Sequence, residues 1–127
     1  MKYITNNGIV ICFDWLFPEV ARTFTMKGAQ LIAHPSNLVL PYSPDAMVTR
    51  CLENRVFAAT ANRIGTEDRR SYKFTFIGKS EIVSHNGEIL TRLPSNDIAI
   101  EVGDVNLSEA SNKRINEYND IFEDRKY

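Results

Sequence analysis

The chain has 127 residues, 43% apolar and 24% charged, the proportions of an ordinary globular domain. They exclude a disordered, collagen-like or disulfide-stapled chain, and no apolar run reaches the length of a membrane span. Fifteen Lys and Arg against sixteen Asp and Glu leave a net charge of −1, so no basic field draws nucleic acid or an anionic membrane surface.

The opening segment, Met1 to Gly8, lacks the apolar core of a signal peptide. Gly8-Ile9-Val10-Ile11-Cys12-Phe13 is a continuous apolar run, which predicts a strand buried on both faces. Pro18 suits the first turn of a helix, Glu19 the positive end of its dipole and Gly28 its stop. Phe17, Val20, Ala21, Phe24 and Gly28 recur at helical spacing, and Glu19 and Arg22 are placed to pair on one face. Gln30 to His34, closed by Pro35, predicts a second strand, and the whole unit has the size of a right-handed parallel crossover. Pro41 to Pro44 reads as a loop, Asp45 to Arg55 as a helix and Val56 to Ala61 as a strand. Thr66 to Ser71 is charged and reads as an exposed loop, followed by a strand from Lys73 to Ile77. Ile82 to Leu90 carries Asn86-Gly87 between apolar pairs, a strong hairpin signal, with His85 in the turn. Asn96 to Val102 alternates like a strand, Leu107 to Tyr118 reads as a polar helix, and the last residues read as a tail. The order is α/β at first and mostly β later, an α/β (α+β) class in one domain, residues 1–127.

Metal and cofactor chemistry is not expected. His34 and His85 stand far apart, outside any cluster with ligand spacing, and the six glycines form no phosphate-cradling loop. Cys12 and Cys51 form no spaced framework, which sets a reducing cytoplasm as the expected location. Cys12 falls at the end of a strand, just before a turn into a helix. A nucleophile lifted on such an elbow meets the backbone N–H groups that follow it. On position alone, an inert small hydrophobe is the competing reading, and it is the one adopted for Cys51 in its helix.

The segment Ile11-Cys12-Phe13-Asp14-Trp15-Leu16-Phe17-Pro18-Glu19-Val20-Ala21-Arg22 resembles the nucleophile segment of the nitrilase superfamily, the carbon–nitrogen hydrolases. His34-Pro35-Ser36-Asn37, Glu53-Asn54, Ala61-Asn62-Arg63-Ile64-Gly65, Phe76-Ile77-Gly78-Lys79-Ser80 and Asn86-Gly87-Glu88-Ile89-Leu90 follow in the family's order. The resemblance implies that Cys12 is the nucleophile, that the Phe13 N–H is an oxyanion donor, and that Asp14, Trp15 and Asn37 wall a substrate pocket. It implies hydrolysis of a small amide or nitrile-type compound through a thioester, without a cofactor. Trp15 and Leu16 stand where the family's carbamoyl-amino-acid hydrolases carry arginines, which argues against that subclass. Glu19 and Arg22 read as a pair that fixes a helix, and Asn62 and Arg63 either order a loop near the site or pair internally.

The family's base Glu and oxyanion Lys precede the nucleophile. Here eleven residues precede Cys12, with Lys2 as their single lysine and no carboxylate among them. The expectation is therefore the C-terminal half of a nitrilase-like α-β-β-α sandwich. Such a half exposes one apolar sheet face and needs either a homo-oligomer or a complementing N-terminal half. The alternatives are a non-catalytic interaction module and a truncated remnant.

Overall fold

The computed structural model describes residues 6–125, so Lys2 and the rest of the first five residues lie outside it. In chain order the elements are β1 (Asn7–Ile9), α1 (Pro18–Met26), β2 (Leu31–Ser36), α2 (Ser43–Asn54), β3 (Phe57–Asn62), β4 (Ile64–Arg69), β5 (Tyr72–Ile77), β6 (Glu81–Val83) and β7 (Ile89–Arg92). Short 3₁₀ turns occupy Cys12–Leu16, Leu107–Ser111 and Glu123–Arg125. The main sheet has the order β1-β2-β3-β6-β7, and β4 pairs with β5 apart from it. The first three strands run parallel, joined by α1 and α2, while β6 and β7 are antiparallel additions. This is a mixed α/β fold with a helix layer on one sheet.

Local chemistry accounts for the crossover. Pro18 opens α1, and Gly28, with φ of 88°, closes it in the left-handed region where a side chain is disfavoured. Gly8 of β1 lets α1 descend onto the strand, since a Cβ there would sit 2.7 Å from Cγ of Phe24. The core lies between sheet and helices, where Ile32, Met47, Cys51, Ala58 and Val83 are buried together.

Three expectations are corrected. Thr66 to Ser71 is not a loop: most of it belongs to β4, whose pairing with β5 makes a two-stranded arm. Asn96 to Val102 is not a strand among the described residues: it pairs with none of the strands, and Ala99 to Glu101 instead line a concavity with Ala59, Ile82 and Thr91. Its Ile98, Ile100 and Val102 are 95%, 90% and 83% exposed. Leu107 to Tyr118 is a single 3₁₀ turn, capped by the Asn106 side chain, followed by irregular chain. A run with so few apolar residues gains little by docking a long helix on the core.

Two boundaries also move. The first strand stops at Ile9, and β1 is an edge strand rather than one buried on both faces. The second helix starts at Ser43, with Pro44 in its first turn. Its end is held by Lys113, whose Nζ donates to the carbonyls of Asn54 (3.1 Å) and Arg55 (2.8 Å). Burial pushes that ammonium down to about 8.

Candidate active site

The parallel strand β1 leads through Val10, whose N–H still bonds the carbonyl of Ala33 (3.0 Å), into Cys12. There the chain turns sharply: Cys12 has φ of 48°, one of the few non-glycine residues in the left-handed region. For a residue with a Cβ that conformation costs about 1–2 kcal/mol, so the surroundings must impose it. The 3₁₀ turn Cys12–Leu16 begins at this point, and the side chain of Cys12 is half-buried. A thiol at the end of a parallel strand, on a strained turn, is therefore what the chain builds locally.

Several bonds hold the turn. The Asp14 carboxylate accepts from the Ile11 N–H (2.8 Å), and the Asp14 N–H returns to the Ile11 carbonyl (3.1 Å). Arg50 of α2 donates from Nε to the Trp15 carbonyl (3.2 Å) while its other arm pairs with Glu53 (2.9 Å). His34 of β2 reaches the carbonyl of Cys12 itself through Nε2 (2.9 Å), and its Nδ1 lies 3.1 Å from the Thr60 hydroxyl of β3. His34 is 1% exposed, and burial holds its imidazole below the ordinary value of 6.5, against the opposing effects of the Cys12 carbonyl and Asp14.

The other residues singled out from sequence fall around this turn in different ways. The Phe13 ring is half exposed and meets Trp15 and Phe17 edge-on at 6.1 and 5.9 Å. Trp15 is buried, packed also against Tyr42. Asn37 is exposed, three residues past His34, and lines a concavity of ≈ 350 Å³ with Val39, Arg63, Glu67 and Phe74. Arg22 bonds the carbonyl of Glu53 (2.8 Å) rather than Glu19, so it ties α1 to α2. Asn62 orders the loop carrying Asn37. Its Oδ1 accepts from the Leu38 N–H (2.7 Å), its Nδ2 donates to the Gly78 carbonyl (2.7 Å), and its own N–H bonds Ser80 Oγ (2.9 Å). Arg63 pairs internally with Glu67 (2.8 Å) and lies over the Phe76 ring.

Cys51 is fully buried, and burial pushes its thiol far up. His85 sits in the β6–β7 turn, 5.2 Å from the Phe57 ring. No cluster of His, Cys, Asp or Glu among the described residues could hold a metal. His34 and Thr60 were not singled out from sequence for the site. Their signal was a histidine at an inward-facing position of a predicted strand.

The sequence profile described as carbon-nitrogen hydrolase matches residues 2–115. The chain belongs to the carbon-nitrogen hydrolase family. It is 51% identical to a nitrilase of Pyrococcus abyssi over 94% of this chain and 44% of that protein. A probable nitrilase of Schizosaccharomyces pombe is 37% identical over 93% of this chain and 43% of its own length. An omega-amidase of Homo sapiens is 30% identical, over 84% and 39% respectively. The chain thus spans less than half the length of these curated relatives. Among solved structures, the carbon-nitrogen hydrolase of Helicobacter pylori G27 superposes with a TM-score of 0.69 at 23% identity, covering 76% of this chain and 39% of that one. An amidase of Nesterenkonia sp. AN1, in a mutant form with the acetamide moiety of fluoroacetamide added at its active-site cysteine, matches with a TM-score of 0.64 at 30% identity, over 71% and 34%. No helix among the described residues is long and apolar enough to cross a membrane.

Proposed function

We propose that the chain, as a partial domain over residues 1–127, is the nucleophile-bearing half of an amidase-like carbon–nitrogen hydrolase. Cys12 attacks the carbonyl carbon of a small linear amide or related C–N compound. The oxyanion forms at the Phe13 N–H, the amine leaves with a proton, and water hydrolyses the thioester. Asp14, Trp15 and Asn37 contribute to the pocket wall, Asp14 also by bracing the turn. The general base and the oxyanion cation come from a complementing N-terminal half. The observation that carries this reading is the left-handed backbone of Cys12 at the end of a parallel strand. The cysteine adduct of the Nesterenkonia amidase supports a cysteine that meets small amides.

Native alkylation with iodoacetamide, followed by peptide mass mapping, tests the nucleophile. Cys12 is modified first and Cys51 only on unfolding. Equal rates at the two cysteines overturn the reading. Hydrolysis of simple amides by the chain alone stays near background, since losing base and oxyanion cation together costs many decades. A second reading, a non-catalytic oligomeric module, draws on the exposed Ile98, Ile100 and Val102. It gains ground if Cys12 fails the alkylation test while the chain forms a defined oligomer.

A further inference from the structure

We propose that His34 is a positioning residue for the Cys12 elbow, drawing the Cys12 carbonyl inward through Nε2–H and so aiming the Phe13 N–H at the point where an oxyanion develops. The proposal rests on the reading of Cys12 as nucleophile.

The tautomer follows from the partners. A carbonyl oxygen only accepts, so the ring nitrogen 2.9 Å from the Cys12 carbonyl carries the proton and donates. The other nitrogen, 3.1 Å from Thr60 Oγ1, is then the acceptor of the neutral ring, and the hydroxyl donates to it. A doubly protonated ring would place a cation in a nearly sealed site, which burial opposes. The sheet itself sets this chain of donors, because the β2–β3 register puts His34 directly opposite Thr60. The Cys12 carbonyl therefore fixes the tautomer, and the Thr60 hydroxyl anchors the ring by donating to the nitrogen left as acceptor.

The consequence reaches the next residue through the peptide plane. In a planar trans unit the C=O and the following N–H point in opposite directions. Holding the Cys12 oxygen on buried His34 turns the Phe13 N–H the other way. Its neighbours are already engaged: the Ile11 N–H on the Asp14 carboxylate and the Asp14 N–H on the Ile11 carbonyl. Among the described residues none accepts from the Phe13 N–H, which leaves it available for a substrate oxygen.

Two electrophiles separate positioning from general thiol reactivity. p-Nitrophenyl acetate acylates sulfur through a tetrahedral oxyanion and expels p-nitrophenolate, whereas iodoacetamide alkylates it by displacing iodide, with no oxyanion. Thr60→Val removes the hydroxyl donor at nearly constant shape. It lowers the ratio of acylation to alkylation at Cys12 about tenfold, and Thr60→Ser restores it. His34→Leu lowers the ratio as well, while His34→Gln, which keeps an N–H for the carbonyl, recovers part of it. Long-range 1H–15N spectra of the histidine-labelled chain report His34 as the Nε2–H tautomer in wild type, and in Thr60→Val the Nδ1 resonance moves as that nitrogen loses its donor. A reactive Cys12 whose ratio is unchanged in these variants overturns the proposal alone, as does an Nδ1–H tautomer in wild type. A wild-type Cys12 no faster than Cys51 with either reagent overturns the nucleophile reading and the proposal with it.

Discussion

The two faces of the main sheet differ more than any other pair of regions in the molecule. On one face the register aligns Gly8, Ile32, Ala58 and Val83 in a row beneath α1 and α2, where Ile32 and Val83 lose all contact with solvent. On the other it aligns Ile9, Ala33, Ala59, Ile82 and Thr91, none of them fully buried and Ile9 62% exposed. Both rows are largely apolar, so composition does not distinguish them. What differs is cover: helices supply it on the first face, and among the described residues no second sheet supplies it on the other. An apolar row covered only in part, where Ala99 to Gly103 pass near Ala59 and Ile82, and flanked by the exposed Ile98, Ile100 and Val102, has the character of an interface. Cys12 leaves β1 at the rim of this same sheet, and His34, which holds it, belongs to the covered side with Ile32.

The largest test of this contrast is paired truncation. Ile32→Ala in the covered row lowers unfolding stability in urea by about 3 kcal/mol, through lost burial and a residual cavity. Ile9→Ala in the open row costs less than about 1 kcal/mol, because little burial is lost there. Similar losses at both positions would show that the open face is covered in solution.

A pH dependence on the covered side comes next. The folded state holds the His34 pKa below the unfolded value of 6.5, so the unfolded state binds more protons in the window between the two. The stability contributed by neutral His34 is fully present above 6.5 and is lost as pH falls through the depressed folded value. Denaturant melts of wild type and His34→Gln across mildly acidic pH should differ in slope in that direction. Parallel curves would mean that His34 is not held as the neutral ring. The smallest change in stability, within about 0.5 kcal/mol, is expected for Ile98→Ser with Ile100→Ser. Light scattering nevertheless reports less self-association for that pair than for wild type. An unchanged scattering mass would remove this segment from the interface.

Much of the covered side was legible in the sequence because its signals are local. Pro18 and Gly28 mark the two ends of α1, and the short apolar run before Pro35 marks β2, which the structure carries on through Pro35 to Ser36. The elbow was legible only in outline: strand, Cys12 and a turn before a helix. The left-handed φ of Cys12 and its bond to His34 depend on a contact between residues 22 apart in the chain. No local pattern announces that contact. Asn96 to Val102 misled for a related reason. Its alternation states what the segment can pair with, while a ladder also requires a neighbouring strand. Thr66 to Ser71 failed in the other sense. Glu67, Asp68 and Arg69 have low strand propensity, yet register with Phe74, Lys73 and Tyr72 holds them in β4.

We propose that the open face and the elbow at its rim belong to a site completed by another segment. The direct measurement adds the separately produced N-terminal half of the Pyrococcus abyssi relative and follows hydrolysis of small linear amides. Either piece alone should give background rates and the mixture turnover, abolished by Cys12→Ala. Cys12-dependent turnover by this chain alone, or a stable mixed complex with no turnover, would overturn the shared site.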